Sequence, residues 1–439
     1  MRNFYSSIIL CLILLSSLFW GACKQNLVAP TPQTGVLKLD NYIAIGDGYS
    51  AGFGNTDIFD PNSNIGLHEL GQRSSFPELL VNQFNQATFV AEFRTELLEG
   101  NGSGYYQLEE VRIPVCTDQE IEPVLVEIDA ENNWQTNFNN TELNNLSVPR
   151  LRLSEVENPQ LNNTFFQLLR QDSSDNYLDL IEKSSPTFFS LYIGSRDLLD
   201  YAMRGGSDPN YPLIPSSDFI NVYAKLLRTA FLANPDVARG VVGKIPDISE
   251  FPFFTSIGPL WRDQSNCNIT TRSLYIETRA GTIRTARETD RILLPASYLI
   301  GQQNTGNDQY GLTNENPIPE ALVLDSDEVR ELKEVISEYN QGIDSLVVDI
   351  NNTYPEDRVA VARVDVLVQG LTIGLIEDGL DISTEYLSGG FFSLDGLYLT
   401  PRGNALLTNE FVKAINGMED FGAIISPVNV ISYSGVVFP

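Results

Sequence analysis

The chain has 439 residues, of which 42% are hydrophobic and 19% are charged. This composition is typical of globular proteins and excludes a disordered or collagen-like chain. The 57 acidic residues outnumber the 28 basic residues, which gives a formal net charge of −29. Because no cluster of Lys and Arg interrupts this negative charge, we expect no nucleic acid among its partners.

The chain begins with a segment that resembles a bacterial lipoprotein signal peptide. Arg2 precedes an apolar stretch over residues 4–20, and two small residues then lead to Cys23. This stretch is short for a membrane-spanning helix, which needs about 20 apolar residues. We therefore predict a signal peptide over residues 1–22 and a lipid on Cys23 that anchors the protein in the outer membrane. Both the cell-surface face and the periplasmic face of that membrane stay open as locations. A plain secretory signal with a chance cysteine is the alternative.

The next segment, residues 23–38, is rich in Pro, Thr and Gln and predicts a flexible tether. A single folded domain is then expected over residues 39–439. Short apolar runs predict buried strands in this domain. They lie at residues 41–45, 187–193, 240–245 and 359–364.

Helical periodicity of apolar residues separates these strands, most clearly over residues 218–233 and 325–348. Strands that alternate with helices predict an α/β fold, with a mostly parallel sheet covered by helices on both faces. Two polar stretches, near residues 101–145 and 254–319, do not fit this alternation. We interpret them as long loop insertions over the sheet edge.

Two cysteines, Cys116 and Cys267, remain after Cys11 leaves with the signal peptide and Cys23 takes lipid. Disulfides form outside the cytoplasm, so we expect a bond between them, with two buried free thiols as the alternative. No Cys or His lies nearby in sequence to complete a metal site. We therefore expect no metal and no other cofactor.

The segment Asp-Pro-Asn-Ser-Asn at residues 60–64 begins like a calcium-binding loop. However, Ile65 stands at the position that requires glycine, and Gly71 stands at the position of the bidentate glutamate. A turn without a metal ion is the prediction.

Four segments resemble, in order, the sequence blocks of the SGNH/GDSL hydrolases. They are YIAIGDGYSAGF at residues 42–53, NLSVPRLRLSEV at 145–156, FFSLYIGSRDLLDYAMRGG at 188–206 and FSLDGLYLTPRGNALLTNEFVKAIN at 392–416. The resemblance covers nearly all of the chain after the tether. It implies a three-layer α/β/α, flavodoxin-like fold and a site for ester hydrolysis.

Hydrolysis in that family needs a serine nucleophile, a histidine base held by an aspartate, and a glycine and an asparagine that stabilise the oxyanion. The positions of the serine, glycine, asparagine and histidine are here occupied by Gly48, Arg150, Arg196 and Tyr398. Three aspartates of the same blocks remain: Asp47, Asp197 and Asp395. Since loss of a catalytic triad lowers the rate about a million-fold, we expect a pseudoenzyme with no catalytic residue.

Two other residues, and Tyr398 itself, are candidate substitutes for the lost groups. Ser50 lies two positions after the missing nucleophile and is interpreted as a helix cap. His68, the single histidine, is interpreted as a surface or loop-packing residue rather than a relocated base. Tyr398 has an ordinary pKa of about 10 and makes a poor general base.

The two arginines bring positive charge to a group of acids. We expect Arg150 and Arg196 to pair with the three aspartates and plug the former groove. A receptor for an anionic or acylated ligand is the alternative.

The expected function is that of a non-catalytic binding or scaffold subunit in an outer-membrane protein complex. The insertions are the expected contact surfaces, with Trp134, Trp261 and Arg262 as anchors. The alternatives are an esterase or lipase that acts on acylated glycans or lipids, and a lipoprotein that binds glycans or lipids.

Overall fold

Short strands alternate with helices along the computed structural model, which describes residues 30–90, 92–115, 118–131, 142–263, 270–303, 306 and 308–439. Residues Pro32–Pro439 form one compact unit. The strands are β1 (Tyr42–Gly46), β2 (Tyr105–Val115), β3 (Asp118–Ile128), β4 (Phe188–Tyr192), β5 (Arg239–Gly243), β6 (Leu260–Asp263), β7 (Thr270–Ser273), β8 (Tyr275–Glu277), β9 (Ile283–Thr285), β10 (Arg291–Ile292), β11 (Val323–Leu324), β12 (Val359–Ala362), β13 (Leu375–Glu377) and β14 (Leu380–Ile382). The α-helices are α1 (Gly48–Ala51), α2 (Glu69–Arg73), α3 (Phe76–Ala87), α4 (Thr164–Leu169), α5 (Tyr177–Ser184), α6 (Ser195–Ala202), α7 (Ser216–Leu232), α8 (Pro252–Thr255), α9 (Ser326–Asn351), α10 (Val364–Leu371) and α11 (Pro401–Gly417).

The central sheet is parallel and has the strand order β1-β4-β5-β12. Each apolar run that predicted a buried strand forms one of these four strands, within two residues of the predicted bounds. Tyr42 pairs with Phe188, and Phe188 pairs with Arg239 on the next strand. Every residue of β1 and β4 is buried, as expected for parallel strands covered on both faces. The predicted α/β class with a parallel sheet is confirmed.

Helices cover both faces of this sheet. The Phe188 ring lies 5.6 Å from the Phe84 ring of α3, and the ring of its neighbour Phe189 lies 5.2 Å from the Phe231 ring of α7. Successive side chains of a strand point to opposite faces, so α3 and α7 lie on opposite sides of the sheet. The two helices predicted from periodicity are α7 and α9.

The two polar stretches contain regular structure that the sequence did not predict. In the first, β2 and β3 form a long antiparallel hairpin. Its chain then returns to the sheet edge, where the Leu146 N–H donates to the Ala44 carbonyl of β1 at 2.9 Å. In the second, β6 pairs with β7 and β8 pairs with β9, around a second hydrophobic cluster. The members of this cluster are Ile257, Leu274, Ile276, Ile292, Ala296, Ile300, Leu312, Ile318 and Val323.

Several predictions from the sequence concern residues outside the described part of the chain. These residues are the lipidation site Cys23, the cysteine pair Cys116 and Cys267, and the anchor candidate Trp134. Within the described part, no helix combines the length and the apolar character needed to cross a bilayer.

Candidate functional site

The residues that the resemblance aligns with catalytic positions meet at the carboxyl ends of β1 and β4, where ligands bind in open α/β sheets. Gly48 begins α1 directly after β1, and Arg196 lies in the first turn of α6 after β4. Tyr398 lies in the turn before α11, and its ring covers Gly48. The site is closed, because Gly48, Arg196 and Tyr398 are all buried.

An aromatic ring fills the space around Gly48, the position that the resemblance aligns with the serine nucleophile. A Cβ atom built on Gly48 would lie 2.8 Å from Cε1 of Tyr398 and 3.3 Å from its hydroxyl oxygen. The Tyr398 ring also packs against Tyr49, with ring centroids 5.0 Å apart, and edge-on against Phe53 at 5.1 Å. A serine side chain at position 48 therefore has no room unless Tyr398 moves.

Burial changes the acid–base properties of Tyr398. It raises the pKa of the phenol to about 12, although the nearby Arg196 guanidinium opposes part of the rise. A phenol with this pKa stays protonated at neutral pH and does not accept a proton from a nucleophile.

Asp47 is the N-cap of α1, because its carboxylate accepts a hydrogen bond from the Tyr49 N–H at 3.1 Å. Its second oxygen, Oδ2, is buried without a hydrogen-bond partner. Burial raises the pKa of Asp47 to about 7, and the negative charge of Asp197 adds to the rise. A large part of this carboxyl is therefore protonated at neutral pH.

Asp197 holds the loop that follows Arg150. Its carboxylate accepts hydrogen bonds from the Leu153 N–H at 2.7 Å and from the Ser154 hydroxyl at 3.2 Å. Burial raises the pKa of this carboxyl to about 6, even though the backbone N–H groups stabilise its charge.

Asp395, which the resemblance aligns with the aspartate that holds the catalytic histidine, also accepts hydrogen bonds from main-chain N–H groups. Its carboxylate accepts hydrogen bonds from the Leu397 N–H at 2.7 Å, the Tyr398 N–H at 2.8 Å and the Thr56 N–H at 3.0 Å. Burial raises its pKa above the ordinary value. Asp395 thus fixes the turn that carries Tyr398.

The expected ion pairs between the arginines and these three aspartates are absent among the described residues. Arg196 instead pairs with Asp200, one turn further along α6, with 2.7 Å between Nη2 and Oδ1. Burial opposes the charge of Arg196, but Asp200 raises the pKa of Arg196 above its ordinary value. Arg204 donates to the same Asp200 oxygen at 2.7 Å. The buried carboxylate of Asp200 therefore forms ion pairs with two guanidinium groups.

Three arginines also hold residues 60–64, which we call the 60–64 loop. Arg196 donates to the Pro61 carbonyl at 2.5 Å, and Arg204 donates to Oδ1 of Asn62 at 2.8 Å. Arg150 donates to Oδ1 of Asn64 at 2.7 Å. The segment that begins like a calcium loop is a turn whose oxygen atoms accept hydrogen bonds from guanidinium groups.

The backbone at Arg150 has a glycine-like conformation. Its φ angle is +64°, in the left-handed region that residues with a Cβ rarely adopt. Glycine enters this region without a steric cost, and glycine is the residue that the family resemblance implies at this position. Burial lowers the pKa of Arg150, and the neighbouring charge of Arg196 lowers it further.

The other candidate residues have structural roles. Ser50 is fully buried and its hydroxyl donates to the Tyr192 carbonyl at 3.3 Å, so the predicted capping role was wrong and belongs to Asp47. His68 is buried, not at the surface, and its Nδ1 caps α2 by accepting from the Gly71 N–H at 3.2 Å. Burial lowers the pKa of His68 to about 4.

Asp200, Arg204 and the 60–64 loop were not predicted from the sequence as parts of the site. The signal for the first two was present, since positions 196, 200 and 204 are spaced four apart, the spacing at which side chains meet along a helix. In the structure Arg204 lies just after the end of α6. The loop had no comparable signal. Among the described residues, no group of three or more His, Cys, Asp or Glu side chains is arranged to hold a metal ion.

Comparisons with known proteins identify no relative of this chain. A scan against protein-family models and a search of curated proteins both find no match to the chain.

Proposed function

We propose that this chain is a catalytically inactive protein of the SGNH/GDSL hydrolase type, with a flavodoxin-like fold. We further propose that it acts as a binding or scaffold subunit of an outer-membrane protein complex and is anchored there by a lipid on Cys23. The observation that carries the proposal is the packing of Tyr398 onto Gly48, with 2.8 Å between Cε1 and a built Cβ. It removes both the nucleophile and the space in which an ester would be attacked.

The family assignment has two supports besides the sequence blocks. The residues at the family positions lie at the carboxyl ends of parallel strands, the usual place of a ligand site in such sheets. Arg150 retains a backbone conformation suited to glycine. A substitution of an original glycine explains why an arginine occupies a strained position.

The alternative of an esterase with a rearranged site has little support. It needs an exposed nucleophile within hydrogen-bond reach of a base. Ser50 is fully buried and donates to a main-chain carbonyl, while His68 uses Nδ1 as a helix cap. Neither residue is available as a nucleophile or a base.

The proposed contact surface lies on the insertion that contains β6. Trp261 is half-buried and packs against the second hydrophobic cluster. Its neighbours Leu260 and Arg262 are exposed, and Leu260 has 58% of its surface accessible. An exposed arginine suits a docking site, because arginine is enriched among the residues that dominate the binding energy of many interfaces. The exposed Leu260 adds apolar surface beside it.

A pull-down in mild detergent tests the proposal. The tagged, lipidated protein is purified from solubilised membranes, analysed by size-exclusion chromatography and compared with an unrelated lipoprotein. We expect one enriched membrane protein that co-elutes with the chain, and loss of this protein in the double variant Leu260→Ser/Arg262→Glu. The variant Phe89→Ser, at another exposed apolar residue, should retain the partner. Elution as a monomer with no enriched protein would overturn the scaffold function.

A further inference from the structure

A cavity of about 490 Å³ lies beside the closed site and shares none of its residues. Its walls come from the loop after α1, from His68 and α2, from the base of the β2–β3 hairpin, from the loop before α11 and from residues 434–437. The volume falls in the range of about 300–1,000 Å³ that is typical of small-molecule sites. Segments far apart in sequence therefore enclose a space large enough for a ligand.

Most of the wall is apolar. It includes Leu70, Leu108, Leu394, Leu399, Pro401 and Val436. Tyr105 and Tyr106 add aromatic surface from the hairpin. Among the described lining residues, Glu109 is the only side chain with a formal charge, since His68 is neutral above its lowered pKa. A wall without a cation does not favour an anionic ligand, and the large apolar area favours a lipophilic one.

His68 gives the cavity a fixed hydrogen-bond donor. Its Nδ1 accepts from the Gly71 N–H at 3.2 Å, so the ring proton of the neutral imidazole is on Nε2. The ring packs against Tyr105, with centroids 4.5 Å apart, which fixes its orientation. No described residue accepts a hydrogen bond from Nε2. The donor is therefore available to an oxygen atom of a ligand in the cavity.

We propose that this cavity binds an uncharged lipophilic molecule with a carbonyl oxygen. The carbonyl oxygen accepts a hydrogen bond from Nε2 of His68, and the apolar body contacts Leu394, Leu399 and Val436. The inference is independent of the proposed scaffold function, because it rests on different residues and needs no protein partner.

Nile red, an uncharged lipophilic dye with a carbonyl group, is the probe that tests this site. We expect saturable binding to the purified full-length protein, at one dye per chain and with blue-shifted emission. Val436→Trp fills the cavity from a half-exposed position and should abolish the saturable signal. His68→Asn keeps a good N-cap for α2 but removes the Nε2 donor. It should weaken binding about fivefold, the value of one neutral hydrogen bond.

Two controls distinguish binding of the dye in the cavity from nonspecific adsorption of the dye to the protein surface. Phe89→Ser removes an aromatic side chain that is 89% exposed and does not line the cavity, and it should leave binding unchanged. Thermal unfolding of each variant checks that it is folded, and Leu399→Trp replaces Val436→Trp if the latter is not. Absence of saturable binding, or saturable binding that survives in a folded cavity-filling variant, would overturn the proposal. An unchanged affinity in folded His68→Asn would overturn the role of the Nε2 donor.

Discussion

Gly48 and Tyr398 are sterically coupled: the tyrosine ring occupies the space that any side chain at position 48 would need. The residues lie 350 positions apart in sequence, yet the tyrosine at 398 restricts which residue position 48 can hold. A tyrosine at 398 requires glycine at 48, because a Cβ there would approach Cε1 to 2.8 Å. This coupling can be measured.

Gly48→Ser should lower the free energy of unfolding by about 1–3 kcal/mol, the usual cost of forcing extra atoms into a packed core. In the double variant Gly48→Ser/Tyr398→Ala, we expect the serine to cost less, because the clashing ring is absent. Urea unfolding of the wild type, both single variants and the double variant measures the coupling energy. Additive effects of the two substitutions would contradict the steric relationship.

The purified soluble protein should not hydrolyse short-chain nitrophenyl esters faster than serum albumin, and should not react with a fluorophosphonate probe. The reason is that Gly48 offers no nucleophile and Ser50 is buried. Gel-based detection of the labelled protein measures this. Stoichiometric labelling that disappears in Ser50→Ala would show that an active serine exists and would revive the esterase alternative.

Asp200→Asn should destabilise the fold strongly. Two guanidinium groups, those of Arg196 and Arg204, lose the charge of their shared acceptor, and removal of one partner from a buried ion pair costs about 3–5 kcal/mol. The matched control is Asp327→Asn. It breaks an exposed pair with Arg330 at 2.8 Å and should cost less than about 1 kcal/mol. Equal losses of unfolding free energy in the two variants would contradict the importance of the buried network.

The raised pKa of Asp47 should make the protein less stable as the pH rises. Burial favours the protonated carboxyl in the folded state, with a pKa of about 7 against an ordinary value of 3.8. The stability that this proton provides is complete below the ordinary pKa and is lost as the pH rises through 7. The lowered pKa of His68 has the opposite effect: it makes the protein more stable as the pH rises towards 6.5. The informative quantity is therefore the difference between the wild type and Asp47→Asn.

Asp47→Asn retains an N-cap for α1 and does not titrate. Between pH 5 and pH 8 we expect the wild type to lose unfolding free energy relative to this variant. Urea unfolding at four pH values across this range measures the difference. A difference that stays constant with pH would show that Asp47 does not carry the raised pKa.

The sequence predicted the central sheet well but the site only in part. Buried parallel strands are continuous apolar runs, and such runs are visible without any partner. The roles of Asp197 and Asp395 were not visible, since they depend on main-chain N–H groups that only the folded loops present. The 60–64 loop reaches Arg196 across 135 positions, and no local pattern specifies that contact. The hairpins of the insertions were not predicted, because their strands carry too many polar residues to form a recognisable apolar run.

The second hydrophobic cluster has a consequence for motion. Leu274, Ile276 and Ile318 are buried against one another in the insertion rather than against the central sheet. A region with its own small core can open while the rest of the molecule stays folded, at a free energy below that of global unfolding. The backbone amides of β8 and β9 should therefore exchange with deuterium well before those of β1 and β4. The insertion with the proposed docking surface can then adjust its shape to a partner while the sheet beneath it stays rigid.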